Sequence, residues 1–198
     1  MKVPGKERIL EAALSLITKR RGADVTMAQI ARAARMSRQA VYLHFADRGD
    51  LLVAMVRYQD EKRGLEAEIR KIREAPSGIE AMRRMVSLQA RTNAEIWAPA
   101  RTLDAVRRTD AAAERSWQDR LQHRLGGCRE IMRHVAQDGH LRPGLDVDTA
   151  ADLLWTITSL RMWEDLVLQR GWSAKRYEEH VFGLLLRSLT APEAFSKS

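Results

Sequence analysis

The stretch SRQAVYLHF, residues 37–45, decides how this chain folds. Read at the 100° per residue of an α-helix, Val41 and Phe45 share one side, spaced to pack inward against Ile30 and Ala34. The opposite side carries Gln39, Ala40 and Leu43, flanked by Arg38, Tyr42 and His44. A purely structural helix would not turn that polar set outward. Just upstream, VTMAQIARAA (25–34) puts Met27, Ile30, Ala31 and Ala34 on one face behind Thr26, a natural N-cap, and Ser37 caps the helix that follows. Two short helices joined by a tight turn make a helix-turn-helix, whose second helix enters the major groove of DNA while the first braces it across the backbone.

Working outward, KERILEAALSLITKRRG (6–22) reads as an amphipathic helix through Ile9, Leu10, Ala13, Leu16 and Ile17, stopped by Gly22. DLLVAMVRYQDEKRGLEAEIRKIRE (50–74) reads as one long helix ending before Pro76. Beyond it, helices are expected near 78–94, 100–109, 112–138, 148–170 and 174–190, with breaks at Pro99, Asp110, Asp138–Gly139, Pro143–Gly144 and Gly171. The fold class is therefore all-α. A three-helix helix-turn-helix domain, residues 1–48, is joined by a long helix to a larger helical domain within 49–198.

Composition narrows the function. The chain of 198 residues is 45% hydrophobic and 30% charged, ordinary for a globular protein with a real core. Its single cysteine, Cys128, excludes an intrachain disulfide framework and a cysteine-rich zinc site. The charged first twenty residues do not read as a signal peptide, and the apolar run Leu184–Leu186 is far shorter than a membrane span. A cytoplasmic protein is the expectation. Net charge is +8, and residues 1–50 hold ten Lys and Arg against five Asp and Glu, a concentration that suits a polyanionic partner.

Base-edge chemistry gives the outward residues roles. Gln39 can pair bidentately with adenine and Arg38 with guanine, while Ala40 and Leu43 can meet a thymine methyl. Tyr42, His44 and the Thr26 hydroxyl suit phosphates, as do the helix start at Ser37 and the cation of Arg48.

RILEAALSLI, Gly22, VTMAQIARAA, SRQAVYLHF and RGDLL together resemble the N-terminal domain of the tetracycline-repressor (TetR) family of transcriptional regulators over residues 8–52. The Tyr–x–His–Phe end of the recognition helix, then a basic residue and Leu-Leu, is more specific than a bare helix-turn-helix. The resemblance implies a dimeric repressor of a near-palindromic operator, released by a small-molecule ligand bound in the larger domain. One departure stands out. The family usually places glycine in the inter-helix turn where this chain has Arg35. Either Arg35 takes a left-handed conformation, at about 1 kcal/mol, or the turn is rearranged.

In the larger domain, TAADLLWTITSLRMWEDLVL and YEEHVFGLLLRSL carry more apolar surface than one core needs. They point to a four-helix dimer interface, with Leu153, Ile157, Leu160, Val181, Leu185 and the position one turn on, Ser188, as its residues. Met82, Met85, Asn93, Trp97, Arg101, Trp117, Trp155, Arg161 and Trp163 are candidates for lining an effector pocket, which aromatic and methionine side chains with a few polar anchors typically build. The five histidines show no metal-binding spacing, Cys128 has no base partner, and no catalytic residue, metal or cofactor is expected. The competing readings are a helical small-molecule-binding protein or enzyme whose N-terminal bundle does not bind DNA, and an activator of the same family.

Overall fold

Ile9, Leu10, Ala13 and Ile17 recur at helical spacing, and the first helix, α1 (Gly5–Lys19), buries all four. The computed structural model describes residues 5–22 and 25–192. The extremes of the expected domains, residues 1–4 and 193–198, lie outside that description, as do 23–24. After α1 come α2 (Met27–Ala33), α3 (Arg38–Tyr42), α4 (Arg48–Lys62), α5 (Leu65–Arg73), α6 (Gly78–Val106), α7 (Ala111–Gln137) and α8 (Val147–Ile157). The series ends with α9 (Leu160–Trp163), running into a π-helical segment over Glu164–Gln169, and α10 (Ala174–Leu189). Among the described residues the only β-type pairing is an isolated bridge between Leu141 and Thr190. No helix there is long and apolar enough to cross a membrane.

Two compact units divide the chain. The first takes the described residues of Met1–Leu65 with Glu95–Arg120, the second Glu66–Ala94 with those of Leu121–Ser198. The first has a core built from Ile9, Ile17, Ile30, Val41, Phe45, Leu51, Leu52 and Met55, to which α6 and α7 add Leu103 and Ala113. In the second, Met82, Val86, Met132, Val135, Leu154, Trp163, Tyr177 and Leu185 are buried.

Three expectations about helix limits are corrected. The long helix beginning at 50 is two, because Gly64 adopts φ 63° after the C-cap Arg63 and ends α4 in the left-handed conformation that glycine tolerates. Helices 78–94 and 100–109 are one, α6, which continues through Pro99. Proline has no N–H, so the carbonyl four residues back, Glu95, lacks its helical donor. The side-chain amide of the buried Gln59 donates to that oxygen at 3.1 Å. Helix 148–170 is interrupted instead. The Thr158 hydroxyl donates back to the Leu154 carbonyl (2.6 Å), Thr158 leaves helical geometry, and Ser159 caps a new helix by accepting from the Met162 amide at 3.2 Å.

Candidate nucleic-acid interface

Local chemistry sets each end of the helix pair. Thr26 and Gln29 form a reciprocal capping box: the Thr26 hydroxyl accepts from the Gln29 amide (3.3 Å) and the Thr26 amide donates to the Gln29 side chain (3.0 Å). Ser37 Oγ accepts from the Ala40 amide at 3.0 Å and opens α3. Between them the turn keeps left-handed geometry, with Arg35 at φ 53°. The Met36 amide then reaches back to the Ala31 carbonyl at 2.9 Å, satisfying an end carbonyl of α2 as a Schellman closure does. Arg35 is exposed, so its side chain costs the core nothing.

The nine-residue stretch is shorter as a helix than its spacing suggests. Only Arg38–Tyr42 is α-helical, with Leu43 as the C-cap. Its two-sidedness is nonetheless complete. Val41 is 0% and Phe45 2% exposed, whereas Leu43 is 85% and Tyr42 45% exposed. Each buried side chain is worth about 1.5–3 kcal/mol, so this orientation is strongly held. Arg38, Gln39, Ser37, Thr26 and His44 are exposed, and Ala40 and Arg48 half-buried. Thr26, Arg38, Tyr42 and Arg48 line one shallow concavity together with Val25, Met27 and Ala28. Ala28 was missed in the sequence because a small residue on the outer side of an amphipathic helix carries no chemical signal. His44 sits apart from this group: its Nε2 would lie 3.1 Å from a β-carbon at Gly5, against the start of α1.

Helix α1, which packs on α2, is held in turn by α4. The Tyr58 hydroxyl donates to Glu7 (3.2 Å) and Glu11 (3.0 Å), and Lys62 pairs with Glu11 at 2.7 Å. Those hydrogen bonds from Lys62 and Tyr58 lower the Glu11 pKa, keeping the carboxylate charged. Asp47 caps α4 by accepting from the Asp50 amide at 2.8 Å. Gly49 is needed beside it, since a β-carbon there would fall 2.0 Å from Asp110 Oδ2. Asp110 cannot withdraw freely, because its other oxygen accepts from the Ala113 amide at 2.8 Å and caps α7.

The nine pocket candidates are distributed over both units. In the first unit, the Arg101 guanidinium stands 5.3 Å from the Trp97 ring centroid, and Arg107 stands 5.3 Å from that of Trp117. In the second, Met82, Met85, Asn93 and Trp163 are buried and Trp155 is half-buried. Arg161 is exposed and pairs with Asp165 (3.2 Å). The dimer candidates differ in exposure. Val181 and Leu185 are 1% and 0% exposed within the single chain, because α10 turns them into its own core. Leu153 is 40% exposed, Ile157, Leu160 and Ser188 are half-buried, and Leu184, which the spacing argument passed over, is 38% exposed.

Residues 9–55 match the family of bacterial regulatory proteins, tetR family. No curated relative matches the chain by sequence. Solved structures of similar fold include a protein from Saccharomonospora viridis described as a transcriptional regulator, in complex with choline. Its TM-score is 0.80 at 20% identity, covering 94% of this chain and 97% of that one. FadR from Bacillus subtilis in complex with stearoyl-CoA gives 0.71 at 18%, over 91% and 97%. SmeT, the repressor of the Stenotrophomonas maltophilia multidrug efflux pump SmeDEF, gives 0.66 at 18%, over 94% and 91%. At such identities the likeness is one of fold.

Proposed function

We propose that the chain, whose residues 9–55 match the tetR family of bacterial regulatory proteins, is a DNA-binding transcriptional regulator that works as a dimeric repressor. A small-molecule effector releases it from a near-palindromic operator. The observation that carries the reading is α3 itself: Val41 and Phe45 fully committed to the core, and Leu43, Gln39 and Arg38 presented to solvent.

In this proposal residues 1–48 read DNA, and 49–198 bind the effector and pair the subunits. Arg38, Gln39, Ala40 and Leu43 meet base edges. Thr26, Ser37, Tyr42, His44 and Arg48 hold phosphates and set the register of the head on the duplex. The exposed Leu153 and Leu184, with Ile157 and Leu160 beside them in the sequence of the last helices, form the pairing face. Two heads related by a twofold axis favour a twofold-related site. Choline in one structural neighbour and stearoyl-CoA in another support an effector-responsive chain. The protein acts in the cytoplasm and not as an enzyme.

Titration of duplex DNA at rising salt tests the regulator. Affinity should fall steeply, since each neutralised phosphate releases counterions. A double substitution Arg38→Ala and Gln39→Ala should flatten operator preference, each lost base contact being worth about 1–3 kcal/mol. Tyr42→Phe should weaken all sequences alike. Salt-insensitive binding would sink the proposal, and unchanged operator preference in the double variant would move the reading face elsewhere.

A further inference from the structure

Arg124 projects from α7 toward the end of α8. Its guanidinium donates to the carbonyl oxygen of Trp155 at 2.7 Å, to that of Thr158 at 3.4 Å, and to the Thr158 hydroxyl at 3.3 Å. It lies 4.5 Å from the Trp155 ring centroid. Among the described residues no carboxylate stands among its partners. Burial lowers its pKa, and the titratable groups that feel its charge, Cys128 and Tyr177, are both neutral at ordinary pH. A desolvated cation with no counter-anion is costly, and carbonyls at the end of a helix offset only part of that cost.

The neighbouring polar groups lack the same thing. Tyr177 is 0% exposed and its hydroxyl has no hydrogen-bond partner, nor does the indole nitrogen of Trp155. A phenol and an indole both have a hydrogen to donate, so what the site wants is an acceptor. There is also room. Gly127 follows Arg124 by three residues, on the same side of α7. A β-carbon at Gly126 or Gly127 would meet no atom within 4 Å. Glycine in mid-helix sacrifices stability, and neither residue has the left-handed backbone that would require it.

We propose that the second unit binds a small organic monocarboxylate, its carboxylate received by Arg124 and the Tyr177 hydroxyl and its apolar body lying along the Gly126–Gly127 flank of α7. One cation balances one negative charge, whereas a phosphate dianion would leave charge uncompensated away from water. A quaternary ammonium ion finds the Trp155 face already occupied by Arg124 and a like charge beside it. The next residues on this side of the helix, Cys128 and Ile131, are buried and apolar, which suits an alkyl or aryl body. The proposal rests on the reading of the chain as an effector-responsive regulator and supplies the chemical class of the effector.

The test uses the full chain, with phenylacetate and octanoate as probes and 2-phenylethanol as the uncharged counterpart, followed by calorimetry and tryptophan fluorescence. At least one acid should bind saturably, and the alcohol at least about tenfold more weakly, as loss of a charge-assisted pair requires. Tyr177→Phe removes an unpaired hydroxyl, so the fold should persist while acid affinity falls about tenfold. Gly127→Leu fills the open flank with a better helix former and should abolish binding. These two variants carry the test even where a change at Arg124 prevents folding. Failure of both acids to bind overturns the proposal, as does equal affinity for the alcohol or indifference to both variants. Operator DNA titrated in the same samples separates the two readings. Acid binding that obeys the variants but leaves DNA affinity unmoved keeps the site and removes its effector role. Acid that loosens DNA equally in wild type and variants keeps the regulator and removes this site.

Discussion

A β-carbon at Gly78 would stand 2.2 Å from the amide nitrogen of Val135 and 2.6 Å from its Cα. Those are backbone atoms of α7, which no rotamer change can move aside, and the Gly78 amide is already held by Asp138 at 2.7 Å. Gly78→Ala is therefore expected to cost about 3 kcal/mol, measured by urea denaturation; a loss below about 1 kcal/mol would show the crossing to be looser than described. Two buried acids make stability sensitive to alkaline pH. Burial pushes the Cys128 thiol from 9.0 to about 11 and the Tyr177 phenol from 10.0 to about 12. Above pH 9 the unfolded chain releases protons that the folded chain still holds, so stability, complete below pH 9, falls as pH rises toward 12. The slope should be about 1.4 kcal/mol per pH unit for each titrating group, and Cys128→Ala with Tyr177→Phe should flatten it.

Among the elements, α6 is the one whose continuity depends on another helix. Pro99 deprives Glu95 of its helical donor, and Gln59 of α4 supplies the substitute. Gln59→Leu should leave that carbonyl unpaired and cost about 1–3 kcal/mol. Pro99→Ala restores the intrahelical N–H, so in the double variant most of that loss should disappear. A double-mutant cycle reads the coupling directly, and additive effects would refute it. The break after α8 has the opposite logic: Thr158 bonds back to Leu154, the helix ends, and Arg124 takes up the released carbonyls. In one case a side chain from elsewhere keeps a helix whole, and in the other it accommodates a helix that has stopped.

At the scale of the whole molecule, pairing of two chains is the expected basis of operator affinity. Replacing Leu153 and Leu184 together by Asp should yield a monomer by analytical ultracentrifugation, with unchanged helicity and with operator affinity reduced toward that for random DNA. A dimer that survives the change would place the interface elsewhere. How much of this the chain spells out locally differs between its two units. The helix-turn-helix was legible because its evidence lies within a few turns: caps at Thr26 and Ser37, and inward residues Ile30, Ala34, Val41 and Phe45, follow from helical spacing alone. The glycine-like conformation of Arg35 was one of two options there, and the closure of the turn selected it. The second unit was legible as helices but not as chemistry. Val181 and Leu185 look the same as Leu184 in sequence, and only packing separates core from surface. Gln59 lies 36 residues from Glu95, and Arg124 lies 31 from Trp155 and 34 from Thr158. Short-range periodicity thus determined the reading head from the sequence by itself. The continuity of α6 and the buried cation of α7 were decided by tertiary structure, because a hydrogen bond across that separation leaves no periodic trace along the chain.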